Sequence, residues 1–171
     1  MKRKLLPLRK IVTLSFTFGL ILNLVAQKEI NLTAGVGFPE FLNIGIKGHL
    51  EQIALGISVG TIPVSEVDEK ILSVCGDFFY HFGKIPELSA RRVWYGRAGI
   101  NYLRDKINEY ERIDRYTYLN LRIGRELNLS EKSGLHLDGG ILILLARKIS
   151  EHTWIDFPVI PSMGLNFFIR L

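Results

Sequence analysis

The chain has 171 residues, with 22 Lys and Arg against 17 Asp and Glu, four His and a single Cys. The whole basic excess sits in the first ten residues (Lys2, Arg3, Lys4, Arg9 and Lys10), so the remainder is formally neutral and gives no reason to expect a nucleic-acid partner. One cysteine, Cys75, excludes an internal disulfide and reads as a small residue packed on a strand.

The basic start runs into Ile11 to Val25, which is almost wholly apolar, and then into Ala26, a small residue at a plausible cleavage point. This is the three-part pattern of a secretory signal peptide. The apolar run is about 15 residues, short of the roughly 20 that a spanning helix needs. The expected organisation is a Sec-type export signal over residues 1–26 and one domain over residues 27–171, about 145 residues.

That domain alternates nearly throughout. Eight segments place apolar residues on one face and small or polar residues on the other. The first pairs Ile30, Leu32, Ala34, Val36 and Phe38 against Asn31, Thr33, Gly35 and Gly37. The second runs from Leu42 to Leu50 with Lys47 and His49 on its polar face, and the third from Ile53 to Gly60. The fourth runs from Leu72 to Phe82, with Asp77 and His81 on the polar side and Phe79 as an exception. The fifth, Trp94 to Tyr102, carries Tyr95 and Arg97 on its polar face; the sixth, Thr117 to Glu126, carries Arg122 and Glu126. The seventh, Leu135 to Leu145, carries His136 and Asp138, with Leu142 and Leu144 breaking the alternation. The eighth holds Met163, Leu165, Phe167, Ile169 and Leu171 on one face, with Phe168 as the exception. Period 2 sustained over segments of about ten residues predicts an all-β domain with no room for a core helix. An amphipathic last strand needs a partner, and pairing it with the first strand closes a barrel and removes both edges.

The connections alternate in length. Short turns are expected at Glu51-Gln52, Gly83 to Ala90 and Asn128 to Ser133, and outer loops at Pro39-Glu40, Thr61 to Lys70, Asp105 to Arg115 and Arg147 to Pro158. Long loops at one end and short turns at the other fit a transmembrane barrel. So do the glycines on the polar face, which suit a crowded interior better than a wet exterior. Aromatics fall where an interfacial girdle belongs: Phe78, Tyr80, Phe82, Trp94 and Phe167 toward the inner rim and Tyr102 toward the outer one.

With its signal segment, eight alternating strands and the ending Gly164-Leu165-Asn166-Phe167-Phe168-Ile169-Arg170-Leu171, the chain resembles the small bacterial outer-membrane β-barrel proteins of the OmpA/OmpX type. The resemblance covers the whole exported part. It implies an eight-stranded antiparallel up-and-down barrel in the outer membrane, monomeric, porin-like in architecture, in contact with outer-membrane lipid and lipopolysaccharide. It also implies that the last strand is read by the barrel-insertion machinery. Family members usually end on an aromatic; here Leu171 is last and the aromatics stand at Phe167 and Phe168.

The candidate site is the set of inward ionisable residues. Asp77 is expected across from Arg97, and the next hairpins are expected to bring Arg122, Glu126, His136 and Asp138 to similar depth. A mixed-sign set of this kind reads as a charge network filling a closed, polar lumen, since an eight-stranded barrel is only wide enough for side chains. No cofactor, metal or catalytic residue is assigned: no histidine pair has metal-ligand spacing. Two alternatives remain. One is a lipid-modifying enzyme resembling the lipid A deacylases, for which Ser150-Glu151-His152 has suitable residue types, although the His-x-Ser pairing of those enzymes is absent at all four histidines. The other is a soluble carrier barrel. The charged stretch Arg104 to Arg115 and the aromatic one with Trp154, Ile155 and Phe157 are the expected contact surfaces.

Overall fold

The computed structural model describes residues 29–62, 69–107, 112–149 and 157–171. The segment expected as an export signal, Ser150-Glu151-His152, Trp154 and Ile155 lie outside the described residues. Eight strands succeed one another: β1 (Ile30–Phe38), β2 (Phe41–Leu50), β3 (Ile53–Thr61), β4 (Glu69–Phe82), β5 (Trp94–Ile107), β6 (Arg112–Asn128), β7 (Ser133–Lys148) and β8 (Val159–Arg170). Each pairs antiparallel with the next, and β8 returns to β1 through Asn31↔Arg170 to Phe38↔Met163, so the sheet is a closed up-and-down barrel.

Closure is the consequence of the period-2 pattern. Outward positions are apolar on every strand: Leu32, Ile44, Ile57, Val74, Ile100, Leu121, Leu137 and Leu165 are all exposed. Inward positions are polar or small, and the glycines among them are set by close approach. A Cβ on Gly60 would run into the Glu40 carbonyl, and one on Gly99 into an Asp77 carboxylate oxygen.

The near rim carries the turns at Glu51–Gln52, 83–93 and 129–132, together with Leu171. The far rim carries the Pro39–Glu40 turn and the ends of β3 to β8. Strand lengths are unequal. β1, β2 and β3 have nine or ten residues, enough for one crossing of a bilayer. β4 to β7 have 14 to 17 and project past the far rim. The stretch Asp105 to Arg115, expected as a loop, is therefore mostly the stem of a hairpin, with register preserved from Tyr102↔Thr117 to Ile107↔Arg112. The charges there end the apolar belt without ending the strand, because beyond the belt the outward face can be solvated while the backbone ladder continues.

The breaks in β7 have a structural cause. Tyr118 pairs with Leu144 but Thr117 pairs with Ala146, so Leu145 is an extra residue, a β-bulge that inverts the facing of the residues beyond it. Leu142 and Leu144 point inward. Leu142 packs with Leu103, Tyr116 and Tyr118, and Phe38, Phe41 and Ile160 close on the cluster. The polar-filled lumen expected from sequence is thus corrected at its far end, where the projecting wall turns apolar side chains inward and builds a small dry cap.

Candidate functional site

Below that cap the barrel is filled by ion pairs. Asp77, Arg97, Arg122, Glu126, His136 and Asp138 all point inward and are buried, as their strand parity requires. They divide into two tiers, which corrects the expectation of a common depth.

The far tier is organised by two arginines. Arg97 Nε donates to Asp77 Oδ1 at 2.8 Å and its Nη2 to Oδ2 at 2.7 Å, a bidentate fork. The two residues are not directly opposite. Asp77 faces Gly99 and Arg97 faces Phe79, because the hairpin closes on Phe82↔Trp94; the pair is diagonal, with Gly99 leaving room for the carboxylate. Arg122, whose side chain has no exposed surface, donates to Asp138 Oδ1 (2.9 Å), Asn120 Oδ1 (2.9 Å), Ser162 Oγ (3.1 Å) and the Phe38 carbonyl (2.7 Å). It thereby ties β1, β6, β7 and β8 together across the lumen. Tyr95 donates its hydroxyl to Asp138 Oδ2 at 3.0 Å.

The carboxylate that completes this tier is Glu40, which was expected in an outer loop. The Phe38–Pro39 peptide is cis and Phe41 has φ 57°, and the turn folds back into the barrel mouth. Glu40 is 3% exposed and receives Arg97 Nη2 at 2.6 Å and Arg122 Nη2 at 2.7 Å. Sequence periodicity could not find it, since a two-residue turn has no period to read.

The near tier holds Glu126 and His136, which face each other in register, with the histidine Nε2 3.3 Å from Glu126 Oε2. Arg170 Nη2 donates to Glu126 Oε1 at 2.6 Å and also meets Asn128, while its Nε lies 3.0 Å from Glu29. Arg91 folds up from the near-rim turn to Glu29 at 2.6 Å. Lys47 reaches His136 at 3.4 Å with its ammonium 3.9 Å from the centre of the Phe79 ring, a cation–π contact. His49 and His81 stand 5.7 Å apart between ring centres, and Phe168 stacks on His136 at 4.5 Å. Of these, Lys47, His49, His81 and Arg170 were legible as polar-face residues, whereas Arg91 lies in a turn.

Charges of both signs fill the lumen: Arg91, Arg97, Arg122 and Arg170 are paired with Glu29, Glu40, Asp77, Glu126 and Asp138, while Lys47 meets His136 and the Phe79 ring. Burial costs each ion several kcal/mol, and that cost is tolerable only with partners of this quality. The hollow between the tiers has a volume of about 40 Å³, lined by Thr33, Lys47, Tyr95, Arg97 and Asp138 among others. That is room for a water or two and not for a solute. Among the described residues no group of His, Cys, Asp and Glu is arranged to hold a metal ion.

No protein-family model matches the chain, and no curated protein matches it. Its structure is similar to the crystal structure of Neisserial surface protein A, with a TM-score of 0.46 at 11% identity, over 84% of this chain and 94% of that one.

The expected aromatic positions are all placed on the outside or at its edge. Phe78, Tyr80, Trp94, Tyr102 and Phe167 are exposed, and Phe82 is half-buried. Phe82 and Trp94 form the last pair of their hairpin at the near rim, where Arg125 lies over the Trp94 ring at 5.7 Å. Tyr102 stands toward the far rim, one outward position below Arg104.

Proposed function

We propose that this protein is a small integral barrel of the bacterial outer membrane with a closed lumen, serving as a structural or surface-interaction protein through its projecting hairpins. The observation that carries the reading is the inversion of polarity. Ile44, Ile57, Ile123 and Met163 are 69%, 60%, 56% and 65% exposed, while Arg122, Glu126 and Asp138 are 4%, 2% and 6% exposed. A belt of that size in water would drive aggregation, whereas lipid chains cover it at no cost. The belt also has the right height. On β6 the outward residues between Arg125 and Arg115 are Ile123, Leu121, Leu119 and Thr117, so the two arginines bracket about ten residues, the length of one tilted crossing. The exposed aromatics then form the interfacial girdle, and the long far-rim hairpins face outward from the cell.

A soluble carrier would need an apolar cavity large enough for a ligand, and ion pairs occupy that space. For the lipid-modifying alternative, Glu40, Asp77, Glu126 and Asp138 are each engaged by arginine, while its candidate Ser150-Glu151-His152 lies outside the described residues. The test is cell fractionation with gel mobility read before and after boiling. The protein is expected in the outer-membrane fraction, shifting on boiling, with no steady large conductance in a planar bilayer. Recovery of the intact protein mainly in the soluble fraction without detergent would overturn the reading.

A further inference from the structure

Lys47 is the buried lumen cation that meets no carboxylate among the described residues. Arg91, Arg97, Arg122 and Arg170 each have an acid, whereas Lys47, 4% exposed on β2, meets His136 and the Phe79 and Tyr95 rings. The histidine is a poor acceptor for it. The ammonium lies 3.4 Å from Nε2 and 3.5 Å from Nδ1, and Nε2 is also 3.3 Å from Glu126 Oε2. With the Nε2 proton directed at that carboxylate, Nδ1 alone is left to accept. An ammonium brings three donors, so at least two find no acceptor among the described side chains. The charges around it lean the same way. Below the cap, the cations Lys47, Arg91, Arg97, Arg122 and Arg170 are buried against the carboxylates Glu40, Asp77, Glu126 and Asp138, which leaves one positive charge in excess. The remaining acid, Glu29, keeps 34% of its side chain exposed at the near rim. A buried charge without a counter-charge is costly, and a mobile ion can supply one.

Lys47 borders the hollow between the tiers, and that hollow is polarised. β1, β2, β3 and β8 contain no acidic residue. At the hollow they present the Thr33 and Ser58 hydroxyls, the Lys47 ammonium and the Asn43 and Asn166 amides, every one of which can donate. Thr33 and Ser58 flank Gly45 in register. A Cβ at Gly45 would stand 2.9 Å from the Thr33 hydroxyl oxygen, so the glycine keeps the space between the two hydroxyls open. The carboxylates Glu40, Asp77 and Asp138 line the other side, and each is already held by arginine. The volume of about 40 Å³ selects by size. A monatomic anion takes about the space of one water, so it fits where no molecular solute does.

We propose that the hollow between the tiers binds a single halide ion such as chloride, held by the Lys47 ammonium together with the Thr33 and Ser58 hydroxyls and the Asn166 amide. A water can accept from the ammonium but leaves its charge uncompensated, which is what commits the site to an anion. The site belongs to the lumen and does not depend on what covers the outer face of the barrel.

The test uses the full exported chain, folded in detergent in sodium gluconate and titrated with sodium chloride at constant ionic strength. The urea midpoint of wild type should rise with chloride and saturate, since an ion bound by the folded state alone stabilises it by mass action. Lys47→Met keeps the side-chain length without the charge, and its apparent chloride affinity should fall at least about tenfold. Thr33→Val/Ser58→Ala should also bind more weakly, while Lys132→Ser at the near rim should respond as wild type. Boiling-dependent gel mobility confirms that each variant is folded. Crystals of wild type grown in sodium bromide should show anomalous density within hydrogen-bond distance of Lys47 Nζ, a result that stands even if Lys47→Met does not fold. An equal chloride response in Lys47→Met would overturn the site. So would bromide crystals with water beside Lys47 and no anomalous density in the hollow.

Discussion

Arg122 and Glu40 meet at 2.7 Å across the barrel although they stand 82 residues apart in the chain. The same carboxylate takes Arg97 at 2.6 Å, so one two-residue turn is latched to β5 and β6 together. Removing it leaves two buried guanidinium groups short of a partner. Glu40→Ala is therefore expected to destabilise the folded barrel by about 3–5 kcal/mol. The double variant Glu40→Ala/Arg122→Ala should cost less than the sum of the single variants, because it removes the charge that the first leaves stranded. Guanidinium unfolding of the detergent-solubilised protein measures both. Additive losses would mean that the contact contributes nothing of its own.

The glycines offer a sharper comparison, since the same substitution meets opposite surroundings. At Gly60 a methyl group would be driven into the Glu40 carbonyl, while at Gly76 it would point into open space on the outer face. Gly60→Ala should cost about 1–3 kcal/mol by forcing the turn out of the barrel mouth. Gly76→Ala should be neutral or stabilise by roughly 0.5–1 kcal/mol through its effect on the unfolded chain. Thermal loss of the unboiled gel species gives the ranking, and a larger loss at Gly76 would contradict the outward assignment.

These contrasts show how far strand parity reaches and where it stops. Parity alone put Asp77, Arg97, Arg122, Glu126, His136 and Asp138 on one face, because a strand leaves no other choice. Register was harder. The turn at 83–93 is long and does not fix its hairpin, so Asp77 was expected opposite Arg97 and stands opposite Gly99. Glu40 was illegible, since its position depends on a fold-back of the chain and not on a repeat. The far cap was illegible as well: Leu103, Tyr116 and Leu142 look like ordinary strand residues until the projecting wall brings their inward faces together. Leu142 and Leu144 did flag a departure, but not that a bulge at Leu145 lay behind it.

The outer-membrane reading assigns a depth to each outward residue of one strand. Leu121 and Thr117 both face outward on β6, Leu121 mid-belt and Thr117 next to Arg115 at its edge. Leu121→Arg should cost about 2–4 kcal/mol, and Thr117→Arg about 0–1 kcal/mol. Unfolding in lipid vesicles separates the two. Equal costs would place the belt elsewhere, and a cost-free Leu121→Arg would mean that this face does not meet lipid.

The closing strand joins the two structural requirements in one segment. Residues 166–170 pair with Asn31 to Gly35 of β1, and Phe167 and Ile169 lie on the outward, exposed side. Arg170 turns inward and holds Glu126 at 2.6 Å and Glu29 at 3.0 Å. Deleting residues 166–171 removes about half of the strand. It strands Glu126 with less of its countercharge, and it bares the edge of β1 where each unpaired backbone group in lipid costs several kcal/mol. The truncated chain should therefore be exported but not inserted, and should accumulate as a protease-sensitive species outside the membrane fraction. Arg170→Ala alone keeps the backbone ladder and should still insert, with lowered stability in denaturant. If the truncated chain instead inserted and kept its boiling-dependent mobility, the β1–β8 seam would not be what closes this barrel.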